Sequence, residues 1–202
     1  MRAPVLFTFV LSVAALAEEP LEARPPSTPT SEAARLGAEY FVQKAGAAWV
    51  YQGVKGRGRV GINSFVDWRA HFTYAVAGKS GSGVWRVKEG VWLERAAGRS
   101  EHEAVVLPAK MTRGTRWTAP ASIERGGGGQ AQYEVVALEA VVETPNGVTI
   151  DHCLAVLETA ADGSDAHTHY FAPNMGKVAV MAPAGWLYRL VEFHSGVRGH
   201  QE

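Results

Sequence analysis

The chain has 202 residues and carries 20 Lys and Arg against 20 Asp and Glu, so its formal net charge is zero. That balance argues against the basic face that nucleic acid requires and against a polybasic membrane-surface segment. An apolar fraction of 47% excludes disorder throughout, and the length implies one domain with at most a tail.

Residues 1–17, MRAPVLFTFVLSVAALA, place Arg2 before an apolar run from Val5 to Leu16 and end on Ala15-Leu16-Ala17. A positive start, a short apolar stretch and an A-x-A site predict a secretory signal peptide cleaved after Ala17. A spanning helix needs about 20 apolar residues. Glu18 and Glu19 interrupt this run too early, so no membrane span is expected. The expected location is periplasmic or extracellular. Glu18, not a cysteine, stands immediately after the expected cleavage site, which removes the usual lipid anchor on a mature N-terminal Cys. Cys153 is the only cysteine, so no internal disulfide can form and the exported fold must rest on its hydrophobic core. Residues 18–31, rich in Pro, Glu, Ser and Thr, read as a flexible linker. A β domain over 32–196 and a disordered tail at 197–202 complete the expected organisation.

Ser31–Lys44 is the one stretch with helical character: Ser31 can cap it, and Leu36, Tyr40 and Phe41 fall at helical spacing. Gly37 weakens it. From Ala48 onward, short runs rich in Val, Trp, Tyr and Thr alternate with Gly-containing breaks. The runs are AAWVYQGV, GRVGINSFV, HFTYAVA, GVWRVKEG, GVWLERAA, EHEAVVLP, TRWTAPASIE, QYEVVALEAVVE, GVTIDHCLAVLETA, AHTHYFAP, GKVAVMAP and GWLYRLVEFH. Their spacing predicts an all-β domain of mostly antiparallel strands: a strongly bent sheet, half-barrel or sandwich, preceded by the short N-terminal helix. Asn146-Gly147 after Pro145 predicts a two-residue type I′ hairpin. A second turn is expected at Ala161-Asp162-Gly163-Ser164, and Arg125 followed by four glycines reads as a flexible hairpin loop.

Several motifs fail on context. Gly56-Arg57-Gly58-Arg59-Val60-Gly61 matches G-x-G-x-x-G, but the sequence continues as strand where a dinucleotide site needs a helix N-terminus. Gly78-Lys79-Ser80 imitates the end of a phosphate loop, yet Thr73 stands where the first glycine belongs. No G-x-S-x-G elbow is present. Cys153 has His152 only as a chain neighbour, which a strand directs to the opposite face, so Cys153 reads as buried and inert. Nothing in the sequence requires a cofactor.

His167-Thr168-His169 carries more chemistry. Strand spacing puts both imidazoles on one face. If a two-residue Asp162-Gly163 hairpin sets 161 opposite 164, Glu158 faces His167 and Val156 faces His169. Two His and one Glu could hold a metal and make a metal-dependent hydrolase. Against this, Leu154, Val156 and Phe171 on the same face are apolar, and a polar strand end beside a turn explains the same residues.

Tyr170-Phe171-Ala172-Pro173-Asn174-Met175-Gly176-Lys177-Val178 resembles the Y-Y-A-P-G-V-G-L-V segment of a family of uncharacterised bacterial exported proteins, sometimes labelled TapB-like. Three more segments agree in order. Gly46-Ala47-Ala48-Trp49-Val50-Tyr51 is similar to an opening G-x-x-W-x-Y. Leu107-Pro108 with Gly114-Thr115-Arg116-Trp117 looks like an L-P…G-x-x-W step. Thr144-Pro145-Asn146-Gly147-Val148-Thr149 with Cys153-Leu154-Ala155-Val156 resembles a P-A-G-T-F…C-L-x-V hairpin. Together they span roughly residues 37–194. Asn174 replaces Gly and Lys177 replaces Leu in the family pattern; Asn still tolerates a left-handed turn, while the changed side chains put any surface role of that loop in doubt. The resemblance implies an exported antiparallel β domain and no catalytic residue.

Three functional readings follow. The first is an envelope protein of binding type, holding an apolar small molecule, a lipid moiety or an envelope partner in a curved sheet. Its candidate ligand-binding residues are Trp49, Tyr51, Trp117 and Tyr170, because large aromatics suit both pockets and interfaces. The second is the hydrolase using His167, His169 and Glu158. The third is a scaffold displayed on the Pro-rich linker.

Overall fold

A computed structural model describes residues 34–76, 78–94, 104–125, 129–163 and 165–196. The expected signal peptide at 1–17, linker at 18–31 and tail at 197–202 lie outside the described residues. Among the described residues fourteen strands follow in chain order: β1 (Arg35–Leu36), β2 (Ala47–Gly53), β3 (Gly56–Val66), β4 (Arg69–Val76), β5 (Lys79–Val87), β6 (Val91–Glu94), β7 (Ala104–Leu107), β8 (Lys110–Met111), β9 (Arg116–Pro120), β10 (Gln130–Glu143), β11 (Thr149–Ala160), β12 (Ala166–Ala172), β13 (Gly176–Ala182) and β14 (Gly185–Ser195). Strands β1 and β8 pair with each other. The other twelve make one sheet, in the order β7-β6-β5-β4-β3-β2-β14-β13-β12-β11-β10-β9, and every neighbouring pair whose register is resolved is antiparallel. Each apolar run in the sequence supplies one of these strands. Two meanders, β2 to β7 and β9 to β14, join along β2 and β14.

Bulges curl this sheet towards closure. Register shifts interrupt the ladders of β10 with β11, β12 with β13, β13 with β14, β14 with β2 and β3 with β4, and each adds local twist and bend. Glycine contributes at Gly83, where a Cβ would lie 2.8 Å from the Phe72 ring. The result is a near-barrel. Its outer strands β7 and β9 meet across a seam, where the Trp117 indole N–H donates to the Val105 carbonyl at 3.3 Å.

The alternating strands put the loops at two ends. The segment before β2 covers one end. There Gly37 N–H donates to Ala109 O at 3.3 Å, Ala38 N–H to Glu89 O at 3.0 Å, and Asn174 N–H to Glu39 O at 2.7 Å. Tyr40, 2% exposed, enters a buried cluster with Val87, Leu107, Met111 and Leu154. A second cluster gathers Trp49, Tyr51, Ile62, Cys153, Tyr188 and Leu190. The other end carries Ala121–Arg125, which includes a 3-10 turn at Ile123–Arg125.

The N-terminal helix is corrected. Residues 34–44 of the expected stretch form β1, a 3-10 turn at Gly37–Tyr40 and irregular chain, and 31–33 lie outside the described residues. Contacts with the barrel end override a weak helical pattern: a Cβ at Gly37 would sit 2.3 Å from Pro108 O. The Asn146-Gly147 turn is also of another type. Gly147 N–H donates to Thr144 O at 3.0 Å and Thr144 N–H to Val148 O at 2.8 Å, while of the pair only Gly147 has positive φ, at 77°. That is a three-residue loop with a left-handed glycine, not type I′. Near Asp162, Ala160 pairs with Asp165 through a 3.0 Å bond, leaving four residues between them. The β11–β12 register is nevertheless the expected one, with Glu158 opposite His167 and Val156 opposite His169. Gly56–Gly61 lies within β3, as the strand reading requires. No described helix is long and apolar enough to cross a membrane.

Candidate functional site

Inward-facing side chains of the near-barrel do not fill it. They leave a cavity of about 360 Å³, within the range of small-molecule sites. Trp49, Tyr51, Phe72, Trp85, Val91 and Phe171 form much of its apolar wall. Phe72 stacks on Trp85 with ring centroids 3.5 Å apart, and Phe41 meets the same indole edge-on at 4.9 Å. Two-residue alternation explains the wall: every second side chain of each strand points inward.

One part of the wall is polar. Glu124, carried inward by the loop between β9 and β10, has a side chain only 2% exposed. Its Oε1 accepts from Lys177 Nζ at 3.1 Å and from the Tyr188 hydroxyl. Burial opposes its ionisation, but the Lys177 ammonium and the Tyr188 hydrogen bond outweigh that and hold the carboxyl well below the usual carboxylate range. Burial, reinforced by Glu124, drives the Tyr188 and Tyr51 phenols up. The Tyr51 hydroxyl donates to Lys177 O at 2.8 Å, and the Trp49 indole N–H donates to Met175 O. Wall aromatics thus fix the backbone that presents Lys177.

Beside this pair lies a second one. His169 Nε2 and Glu158 Oε2 are 2.7 Å apart, with the residues 3% and 0% exposed. Glu158 Oε1 accepts from the Ser122 amide at 2.8 Å. Burial resists ionisation of Glu158, yet the hydrogen bonds from His169 and Ser122 bring its pKa down to about 2. Burial and the Lys177 ammonium lower the pKa of His169 despite its carboxylate partner. The arrangement is a neutral imidazole whose Nε2–H donates to an ionised carboxylate.

The candidate residues from the sequence separate clearly. Trp49 and Tyr51 line the cavity. Trp117 sits at the seam and stacks on Tyr133, a wall residue, at 5.4 Å. Tyr170 instead packs against Trp186 at 5.5 Å and does not reach the wall. Of the metal triad, His169 and Glu158 meet, while His167 Nε2 faces Asp165 Oδ2 at 3.6 Å. Glu158 already accepts two hydrogen bonds, and among the described residues no three His, Cys, Asp or Glu side chains are grouped to hold a metal ion. Cys153 is free and buried, with burial pushing its thiol up to about 12. The His152 ring turns outward to Glu139.

Sequence reasoning missed Glu124, Ser122 and Tyr188. Lys177 was visible only as a departure from the family pattern, and its ammonium serves the interior, not a loop surface. No family model and no curated protein matches the chain. The crystal structure of a Parabacteroides distasonis protein, provisionally described as a lipoprotein, aligns with a TM-score of 0.39 and 12% identity. The alignment covers 77% of this chain and 98% of that one, and the likeness is too weak to bear on function.

Proposed function

We propose that this is an exported cell-envelope protein of binding type that holds an apolar small molecule or lipid moiety inside the curved sheet. The observation that carries the reading is an aromatic-walled cavity of about 360 Å³ inside the curved sheet. The sequence pattern at 1–17 and the resemblance to exported proteins support the location. Trp49 and Tyr51 keep their place as ligand-binding residues, joined by Phe72, Trp85 and Phe171. Glu158 and His169 serve as a structural pair, with His169 in the wall and Glu158 behind it, so the reading needs no catalytic residue.

A fluorescent apolar probe, N-phenyl-1-naphthylamine, tests it. Saturable binding of one probe per chain is expected. Ala119→Phe, which extends a buried wall residue into the cavity, should abolish binding while the protein stays folded. Unchanged binding in that variant would place the probe elsewhere and overturn the reading.

A further inference from the structure

The carboxylate in the wall sets the polarity of what the cavity takes. Oε1 of Glu124 is satisfied by Lys177 and Tyr188, but Oε2 is buried with no partner. The Ser122 hydroxyl, two residues earlier on the same loop, is likewise buried without a partner. Both residues line the cavity. A buried charged acceptor left without a donor costs more than an unmade neutral hydrogen bond, so an occupant that donates there is favoured.

Charge points the same way. The Lys177 ammonium is matched by Glu124, and Arg125 is matched by Asp165 at 3.3 Å. Among the described residues Glu158 has no Lys or Arg partner, and its carboxylate is held by dipoles such as the His169 and Ser122 N–H groups. The polar side of the cavity therefore holds surplus negative charge, an unused carboxylate acceptor at Glu124 Oε2 and a Ser122 hydroxyl able to accept or donate. At the roughly 30 Å³ that one water occupies in the liquid, the volume corresponds to about a dozen small heavy-atom groups.

We infer that the cavity selects an amphiphile of about a dozen heavy atoms whose polar end is a neutral or cationic hydrogen-bond donor, and discriminates against an anionic one. The inference rests on the cavity-binding reading. The donor meets Glu124 Oε2 and Ser122 Oγ, and the chain lies along Trp49, Phe72 and Trp85. A fatty carboxylate would set its charge against Glu124 and Glu158.

Titration calorimetry with decylamine, 1-decanol and decanoate below their micelle-forming concentrations tests this. Decylamine and 1-decanol should bind at least ~10-fold tighter than decanoate, the scale of one hydrogen bond to a charged group. Glu124→Gln removes the wall charge and frees the Lys177 ammonium, so decanoate should gain and the order should reverse. Should that variant not fold, Ser122→Ala supplies the second reading: 1-decanol weakens several-fold and decanoate does not. Equal affinities in the native protein, or a preference for decanoate, would overturn the selectivity and leave the cavity reading standing. Binding by none of the three would overturn both.

Discussion

Replacing Lys177 with Met isolates the ion pair that organises the polar wall. Methionine keeps the length and apolar stem of the side chain, so the loss is the ammonium beside Glu124, whose side chain is 2% exposed. Breaking a buried pair from one side costs about 3–5 kcal/mol. Lys177 is 27% exposed, so the lower figure applies, about 3 kcal/mol at pH 7. For a domain of this size that lowers Tm by roughly 6–12 °C. The pH dependence carries the sign. In the native protein the Glu124 pKa is depressed; its contribution is present above the unfolded carboxylate value and is lost as pH falls through the folded one. Without Lys177 the buried carboxyl is expected to rise above its unfolded pKa near 4.3, so the folded state binds the extra proton and stability falls as pH rises. The deficit of Lys177→Met should therefore shrink between pH 7 and pH 4.5 in scanning calorimetry, and adding Glu124→Gln should recover most of it at pH 7. A deficit that is the same at both pH values, or that the double variant keeps, would refute the reasoning.

Three further outcomes follow from the same structure. Gly147→Val should cost about 1–3 kcal/mol in denaturant titration, all of it backbone strain, because φ is 77° and nothing lies within 4 Å of the new Cβ; an unchanged midpoint would contradict that conformation. Cys153, buried and with its thiol pKa near 12, should resist thiol reagents in the native protein and react on unfolding; rapid native labelling would refute its burial. N-terminal sequencing of the exported protein should begin at Glu18, and retention of Met1 would overturn the expected compartment.

The strand architecture was legible because period-two patterning is local. Trp49 and Tyr51, two apart on β2, announce an inward face, and the β11–β12 register follows from a turn at Asp162-Gly163 even though that turn closes one residue pair earlier than expected. Much of what failed depended on distant chain. The helical spacing of Leu36, Tyr40 and Phe41 lost to hydrogen bonds with Glu89 and Ala109. The β3–β4 hairpin turns on Asp67 and Trp68 at φ 48° and 63°, a type I′-like conformation reached without the glycine that would have signalled it. Glu124 was invisible because its partners, Lys177 and Tyr188, lie 53 and 64 residues away, and no local spacing connects them. Tyr170 belongs to a recognisable motif but is out of phase with His169 and Phe171, so it packs outside with Trp186.

Native mass spectrometry of the protein purified without detergent from its own envelope tests the central claim most directly. The account predicts a carried amphiphile, one per chain, released on denaturation and absent from Ala119→Phe. A native protein whose mass equals that of the bare polypeptide, and which acquires no such ligand when incubated with its own lipid extract, would contradict it.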